Sequence, residues 1–434
     1  NMKSIIIFII FILNFNSVFA SEFLTYLESA YKNNPTLNAE RENHKAIKEN
    51  VNISRSEFLP SVSISGSQNS QQNSNRTNQA GATQSDNSND TETQSVSVNQ
   101  KIFQGFQGYN SIKKSKLESD QAAINLKNVE QQVLLKSAIA YYDLIYKIKN
   151  KQFNLANVDL FERQVETDAS RLQKGEITLT DLAQSESSLA GANAKLISAD
   201  TALLVAKSNF ERIIRLAAPN KVVQDNFIET VNLNFPPDLN SALVISERYN
   251  PKLLLAQLDY KISEKDVSIE KSKFSPSASV NYTKSQNKDY SSTSDKLDQE
   301  TLKATVTIPI FKGGENYSSL KKSKFKREQT NLILQDKINE VKTDTVNAWS
   351  TYQSSESVLK STQAQVEAAE IANEGITLEY DSGNTRTTLE VIQSRSLLLS
   401  SRISNAKAER DFSISKFELL AVIGDLTLDN LKKS

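Results

Sequence analysis

Two stretches of this chain, 58–116 and 274–324, follow one plan, and that plan leaves few folds open. Each begins Phe-x-Pro-Ser, as Phe58-Leu59-Pro60-Ser61 and Phe274-Ser275-Pro276-Ser277. Each then alternates strictly, crosses a polar segment, alternates again, and closes on Phe-x-Gly followed by Lys-Lys-Ser-Lys. In the first, Val62 and Ile64 alternate with Ser61, Ser63 and Ser65, and Val96 and Val98 with Ser95, Ser97 and Asn99. In the second, Ala278, Val280 and Tyr282 alternate with Ser277, Ser279 and Asn281. Leu302, Ala304, Val306, Ile308 and Ile310 complete it, alternating with Lys303, Thr305 and Thr307. Period two predicts strands with one apolar and one wet face. Apolar outward against Ser, Asn and Thr inward, in segments near ten residues, is the pattern of a transmembrane barrel strand around a watery lumen. A soluble half-buried hairpin shares the pattern in any one segment; four such segments in two registered hairpins favour the membrane.

The bulk composition removes other classes. Lys plus Arg and Asp plus Glu both number 51, so the basic excess of a nucleic-acid binder is missing. Mean hydropathy is −0.45, and past the N-terminus the sequence offers no run near the roughly 20 apolar residues that a spanning helix needs. There is no cysteine and a single histidine, His44. With no paired carboxylates on a pocket framework, no phosphate-cradling Gly loop and no metal-ligand set, the expectation is not an enzyme, with no catalytic residues, cofactor or metal. Lys3, the apolar 5–13 and Val18-Phe19-Ala20 read as a signal peptide over 1–20, placing the mature chain beyond the inner membrane.

An internal repeat organises the rest. Asn34-Pro35 recurs as Asn250-Pro251, 216 residues on, and Pro60 and Pro276 keep that offset. Past the polar segments the offset is 208, from Gly105 to Gly313, Lys113 to Lys321 and Gly175 to Gly383. The sequence therefore divides into repeat 1 over 21–220, with a β-hairpin at about 61–104, and repeat 2 over 221–434, with a β-hairpin at about 277–312. Each reads helix, strand, strand, helix, turn, helix. The Gln/Asn/Ser-rich 67–93 and the shorter 285–299 are predicted to be solvated loops. Helical runs over about 109–172 and 317–380 contain roughly 60 residues each, which at 1.5 Å per residue would extend about 90 to 100 Å. After Gly175, Leu182, Leu189, Leu196, Leu203 and Phe210 recur every seventh residue, with Ala192, Ala199, Ala206 and Ile213 three further on. That spacing is a coiled-coil seam, echoed by Val391, Leu398, Phe412 and Leu419 with Asn405 interrupting it.

Four strands cannot close a barrel, and an open edge in lipid leaves unpaired backbone groups costing several kcal/mol each. The chain must pool strands with copies of itself; small inward residues favour three copies and an open lumen. The duplicated layout, the Asn-Pro pairs, the Pro and Gly at the hairpin ends, and Tyr380-x-x-Gly383 followed by Thr385-Arg386-Thr387 together resemble the TolC-type outer-membrane efflux proteins over essentially the whole mature chain. The resemblance implies an all-α periplasmic helical tunnel of long coiled-coil helices plus a transmembrane β-barrel, each protomer giving four strands to a trimeric twelve-stranded barrel.

It further implies an outer-membrane channel, the exit duct of a tripartite multidrug efflux or type I secretion system. That duct would be a homotrimer in outer-membrane lipid, extending into the periplasm and docking on a periplasmic adaptor (membrane fusion) protein and an inner-membrane pump of RND, ABC or MFS type. By motif match, Tyr380, Arg386, Thr388, Glu390 and Gln393 fall near the tunnel constriction, with Asp181 and Gln184 at the corresponding place in the first copy. Arg386 is read as a hydrogen-bonding group toward a neighbouring subunit, and Glu390 as the single carboxylate ring at the mouth. Lys174, Gly175 and Glu176, with Ser382, Gly383 and Asn384, are the adaptor-contact candidates. The rival class is a structural or adhesive coiled-coil surface protein, which would account for the helices and polar loops but not for two lipid-type hairpins at equivalent places.

Overall fold

A computed structural model describes residues 22–221, 235–291, 294–382 and 386–432; the signal-peptide segment 1–20 lies outside them. The first half runs α1 (Glu22–Asn33), α2 (Pro35–Ser56), β1 (Ser61–Asn73), β2 (Arg76–Thr77), β3 (Thr83–Gln84), β4 (Asn87–Gln104), α3 (Gln107–Gln173) and α4 (Leu179–Ile214). The second runs α5 (Leu239–Tyr249), α6 (Pro251–Ser272), β5 (Ser277–Ser291), β6 (Ser294–Thr307), α7 (Glu315–Asp381), α8 (Thr388–Ile423) and α9 (Leu428–Lys432). Equivalent helices match in length: α3 and α7 have 67 residues each, and α4 and α8 have 36 each. Two compact units result, and the chain passes between them within α2, α3, α6 and α7.

One unit, 42–124 with 255–336, holds the sheet. Its order is β1-β4-β5-β6, antiparallel throughout, so β1 and β6 are open edges. Register puts Val62, Val98, Tyr282 and Leu302 in one row and Ser63, Ser97, Thr283 and Thr301 in the next, on opposite faces. Apolar side chains of the first face are bare in the protomer, Ile64 at 81% and Leu302 at 74% exposure, as a lipid-facing surface must be. Further along that face the rows turn charged, with Lys284 to Glu300 at 2.7 Å and Lys288 to Glu92 at 3.3 Å.

The strands differ from expectation at both ends. Much of the polar 67–93 and 285–299 is strand, not loop, because β1, β4, β5 and β6 continue through it. Their pairing there rests on backbone ladders and polar cross-strand bonds such as Thr93 to Asn287 at 2.7 Å, for which apolar periodicity gives no signal. The second hairpin stops at Thr307 instead of about 312; Pro309 has no N–H to continue the ladder. Ile308 and Ile310 thus lie beyond the strand, 63% and 93% exposed.

Gly105 marks where β4 hands over to α3. Its φ is +58°, and a Cβ there would sit 2.4 Å from the Ser275 Cβ and 2.6 Å from the Ser272 carbonyl oxygen, so only glycine fits. Its repeat partner Gly313 has the same φ but open space around it. Gly105 lies at an internal strand pair and Gly313 beside the free edge β6.

The other unit, 22–41 with 125–254 and 337–432 among described residues, holds the main core. Phe23, Leu27, Leu134, Tyr141, Leu144, Phe210, Phe417 and Leu419 pack together, with Trp349 partly buried at its margin. The Asn-Pro pairs find a physical role here. Asn34 caps α2 by accepting from the amides of Thr36 and Leu37, while its Nδ2 donates to the Ile213 carbonyl at 3.2 Å. Asn250 does the same for α6, with Nδ2 on the Val422 carbonyl at 2.7 Å. Each Asn ties a helix start to the last turn of α4 or α8, and proline at N1 lacks only an N–H that would have no helical partner. The α4 seam buries its small layer (Ala192, Ala199 and Ala206) almost completely. By length and composition α4 is also apolar enough to cross a membrane, although it holds no unbroken run near 20 apolar residues. Asn405 accepts from Thr362 at 3.1 Å, so this break in the α8 seam pairs with α7.

Candidate functional site: a buried polar junction near the helical turns

The described residues named from sequence lie at the ends of α3 and α7 and the starts of α4 and α8. Both second helices start on a capping box. Asp181 accepts from the Thr178 amide at 2.9 Å and hydroxyl at 2.7 Å, and Thr178 accepts from the Asp181 amide. Glu390 accepts from the Thr387 amide at 2.8 Å and hydroxyl at 3.1 Å. Donors reaching each carboxylate favour its charged form. The Thr178 hydroxyl and amide hold the Asp181 carboxyl below the usual range; the Thr387 amide, then Arg386, do so for Glu390.

Arg386 is engaged inside its own protomer, with Nε on Glu379 at 2.6 Å and Nη1 on Glu390 at 3.0 Å. Gln184 is half-buried, while Gln393 is exposed. Lys174, Gly175, Glu176 and Ser382 form an exposed surface; Gly383 and Asn384 fall outside the described residues. Gly175, at φ +76°, lets the Glu176 amide reach the Arg171 carbonyl at 2.9 Å and so closes α3.

Tyr380 and Thr388 belong to a different arrangement, which is buried. The Tyr380 hydroxyl donates to Asp168 Oδ1 at 2.7 Å and lies 3.1 Å from the Thr388 hydroxyl. Gln164 donates to the same Oδ1 at 2.9 Å, and Ser185 donates to Oδ2. Asp168 and Ser185 are fully buried. Arg171 stacks on the Tyr380 ring at 4.5 Å, and Arg395, half-buried, donates to the Leu160 carbonyl at 3.2 Å. Hydrogen bonds therefore join five side chains, Gln164, Asp168, Ser185, Tyr380 and Thr388, from α3, α4, α7 and α8. Desolvation raises the Tyr380 pKa above its ordinary value, with Thr388 pulling the other way and Asp168 adding to the rise.

Sequence reasoning found Tyr380 and Thr388 but not Asp168, Gln164, Arg171, Ser185 or Arg395. A signal was present. Gln164 and Asp168 continue, at spacings of three and four, the seam of the buried Val158 and Phe161. Polar residues at seam positions are costly unless satisfied by each other.

A single open four-stranded sheet with one lipid-type face, flanked in sequence by long paired helices, defines a strand-pooling outer-membrane channel subunit. The chain belongs to the outer membrane efflux protein family, whose model matches residues 26–214 and 245–425. It is 27% identical over 417 residues to the outer membrane efflux protein BepC of Brucella suis biovar 1, covering 95% of this chain and 87% of BepC. With the outer membrane protein TolC of Vibrio cholerae serotype O1 it shares 22% identity over 420 residues, 95% of this chain and 92% of TolC. Among solved structures, the Campylobacter jejuni CmeC outer membrane channel matches at TM-score 0.80 and 14% identity, over 95% of this chain and 88% of CmeC. CusC matches at TM-score 0.79 and 14% identity, over 94% and 93%.

The protein is thus an efflux exit duct of the outer membrane that extends through the periplasm, a channel and not an enzyme. Its fold is a helical tunnel joined to a barrel, with the four strands of each protomer its share of a trimeric twelve-stranded whole. Channels of this family work as trimers with adaptors and inner-membrane pumps.

Proposed function

We propose that the Asp168–Tyr380 junction is the latch that holds the tunnel's periplasmic end closed, and that export requires its release. The observation that carries this is the buried 2.7 Å bond from Tyr380 on α7 to Asp168 on α3, which ties together helices belonging to different repeats. A hydrogen bond to a charged acceptor contributes about 1.5–3 kcal/mol. That is enough to bias a two-state tip strongly, and little enough for a docking partner to overcome.

Around the latch, Asp181, Gln184, Arg386, Glu390 and Gln393 with Thr388 make up the constriction. Asp181 and Glu390 act first as caps that fix the start of α4 and α8, and Arg386 braces the second turn. The exposed Lys174, Gly175 and Glu176, with Ser382 and its neighbours Gly383 and Asn384, are where a periplasmic adaptor protein would dock. The pump behind it would be of RND, ABC or MFS type, with type I secretion the second mode of use. Regions 21–220 and 221–434 are two copies of one structural unit, a reading supported by the matched helix lengths.

Single-channel recording of the reconstituted trimer tests the latch. Replacing Tyr380 and Arg386 together should raise the resting conductance, and an unchanged conductance would discard the reading. Site-specific crosslinking from Lys174 and Ser382 in cells tests the docking surface, which fails if only outer-membrane neighbours are captured.

A further inference from the structure

The wet face of the sheet carries cations and, among the described residues of its paired rows, no carboxylate. Register sets the rows. Lys101 lies opposite Ser279, which lies opposite Thr305. One row on, Ser61, Asn99, Asn281 and Lys303 follow in line across all four strands. From there the paired rows of the same face offer Ser, Thr, Asn and Gln with a single Leu297. Every acidic strand residue within these pairings, namely Asp90, Glu92, Asp298 and Glu300, sits on the opposite face. There Glu92 and Glu300 are matched by Lys288 and Lys284.

The foot of the wet face is also hollow. A cleft of about 580 Å³ is lined by Asn99, Lys101, Ser279 and Thr305, and by Lys273 and Lys312 from the segments flanking β5 and β6. Lys273 and Lys312 are answered by Glu270 at 2.8 Å and Glu315 at 3.2 Å. Lys101 and Lys303 have no acidic partner among the described residues. Both are exposed.

We infer that Lys101 and Lys303 form a cationic collar in the barrel lumen that binds and guides anionic solutes bearing phosphate, sulfate or carboxylate groups. Two per protomer repeat around the axis of the trimer, so opposing lysines face one water-filled space walled by a low-dielectric sheet. Like charges confined in such a lumen sum their fields, and no carboxylate in the paired rows of that face offsets them. Ser, Thr and Asn beside them supply neutral donors to the same oxygens. The collar is built from strand residues and the polar junction from helix residues, so each can be altered without touching the other.

The test uses the full-length trimer in planar bilayers, with inositol hexakisphosphate added on the extracellular side. At about 0.1 M salt, where the Debye length is ~10 Å, it should reduce the current, whereas spermine at equal concentration should not. The Lys101→Gln/Lys303→Gln trimer should need roughly tenfold more polyanion for half-block. Lys284→Gln, on the outer face, should leave the block unchanged. Equal block by both probes in the wild type would overturn the collar, as would a half-block concentration that the double variant leaves unaltered. The wild-type comparison stands alone if the double variant fails to assemble. Resting conductance reports the latch separately, so the collar and the latch can fail independently.

Discussion

The helix starts after the α3–α4 and α7–α8 connections share one capping device, while the charges that brace them are reversed. Both begin the second helix with a threonine N-cap and an acidic residue three positions on. Both brace the turn with an ion pair from equivalent places. In the first turn Arg171 on the outgoing helix reaches Glu176 at 3.2 Å; in the second Glu379 on the outgoing helix is reached by Arg386 at 2.6 Å. The difference that matters lies one turn deeper. Where the first copy buries Asp168 against Ser185, the second has Ile376 at the position of Asp168, and its Ser394 instead donates to Asn373 at 3.1 Å. One copy supplies the acceptor and the other supplies, through Tyr380, the donor that meets it. The two helix pairs match in length, and Asp168 and Tyr380 make them complementary.

The comparison breaks most visibly at the acceptor. Asp168→Ala leaves Tyr380, Gln164 and Ser185 without their shared partner in a buried site, so the resting conductance of the trimer should rise about tenfold. Asp168→Asn keeps an acceptor oxygen and should raise it less. A trimer whose resting conductance is unmoved by Asp168→Ala would mean the two arms are not joined at this carboxylate.

Tyr380→Phe removes only the hydroxyl and keeps the ring under Arg171, so roughly a threefold rise is expected. The same bond predicts a pH dependence. Tyr380 has its pKa raised by burial, so the folded, latched state holds the proton more tightly than an exposed tyrosine does. Its contribution is fully present below the ordinary tyrosine value of about 10 and fades as pH rises through the raised one. Conductance recorded from pH 7 upward should stay flat until that window, and the Tyr380→Phe trimer should lack the alkaline rise.

Much of the sheet could be read from sequence because alternation there is enforced by two solvents: Val62 and Ile64 have lipid to face, and Ser61 and Ser63 have water. Beyond the lipid band both faces are polar, as at Lys284 and Ser285, and the pattern that marks a strand disappears although the ladder continues. Proline told the end of β6 more truthfully than periodicity did. At the helical turns, Gly175 and the Thr-x-x-Asp and Thr-x-x-Glu boxes are local features, legible within four residues. Asp168 meets a residue 212 positions away, and no local rule links them. Only its place on an otherwise apolar seam hinted that a buried partner existed.

The smallest effects separate the two caps. Thr178→Ala and Thr387→Ala each remove one capping hydroxyl, a loss of about 1 kcal/mol of local helix stability. Amide exchange over the first turn of α4 or α8 reads that loss directly. Glu390 keeps Arg386 as a second partner, whereas among the described residues the Asp181 carboxylate has Thr178 alone. The first turn of α4 should therefore open more than that of α8 after the equivalent substitution. Acid should erase the same contrast. Both carboxyls are held below their ordinary values, so their contribution is present above those values and lost as pH falls through the depressed ones. Adding salt should narrow the gap by screening Arg386. Equal exchange at both turns under all these conditions would mean that the arginine braces nothing, and that the two turns differ only in sequence.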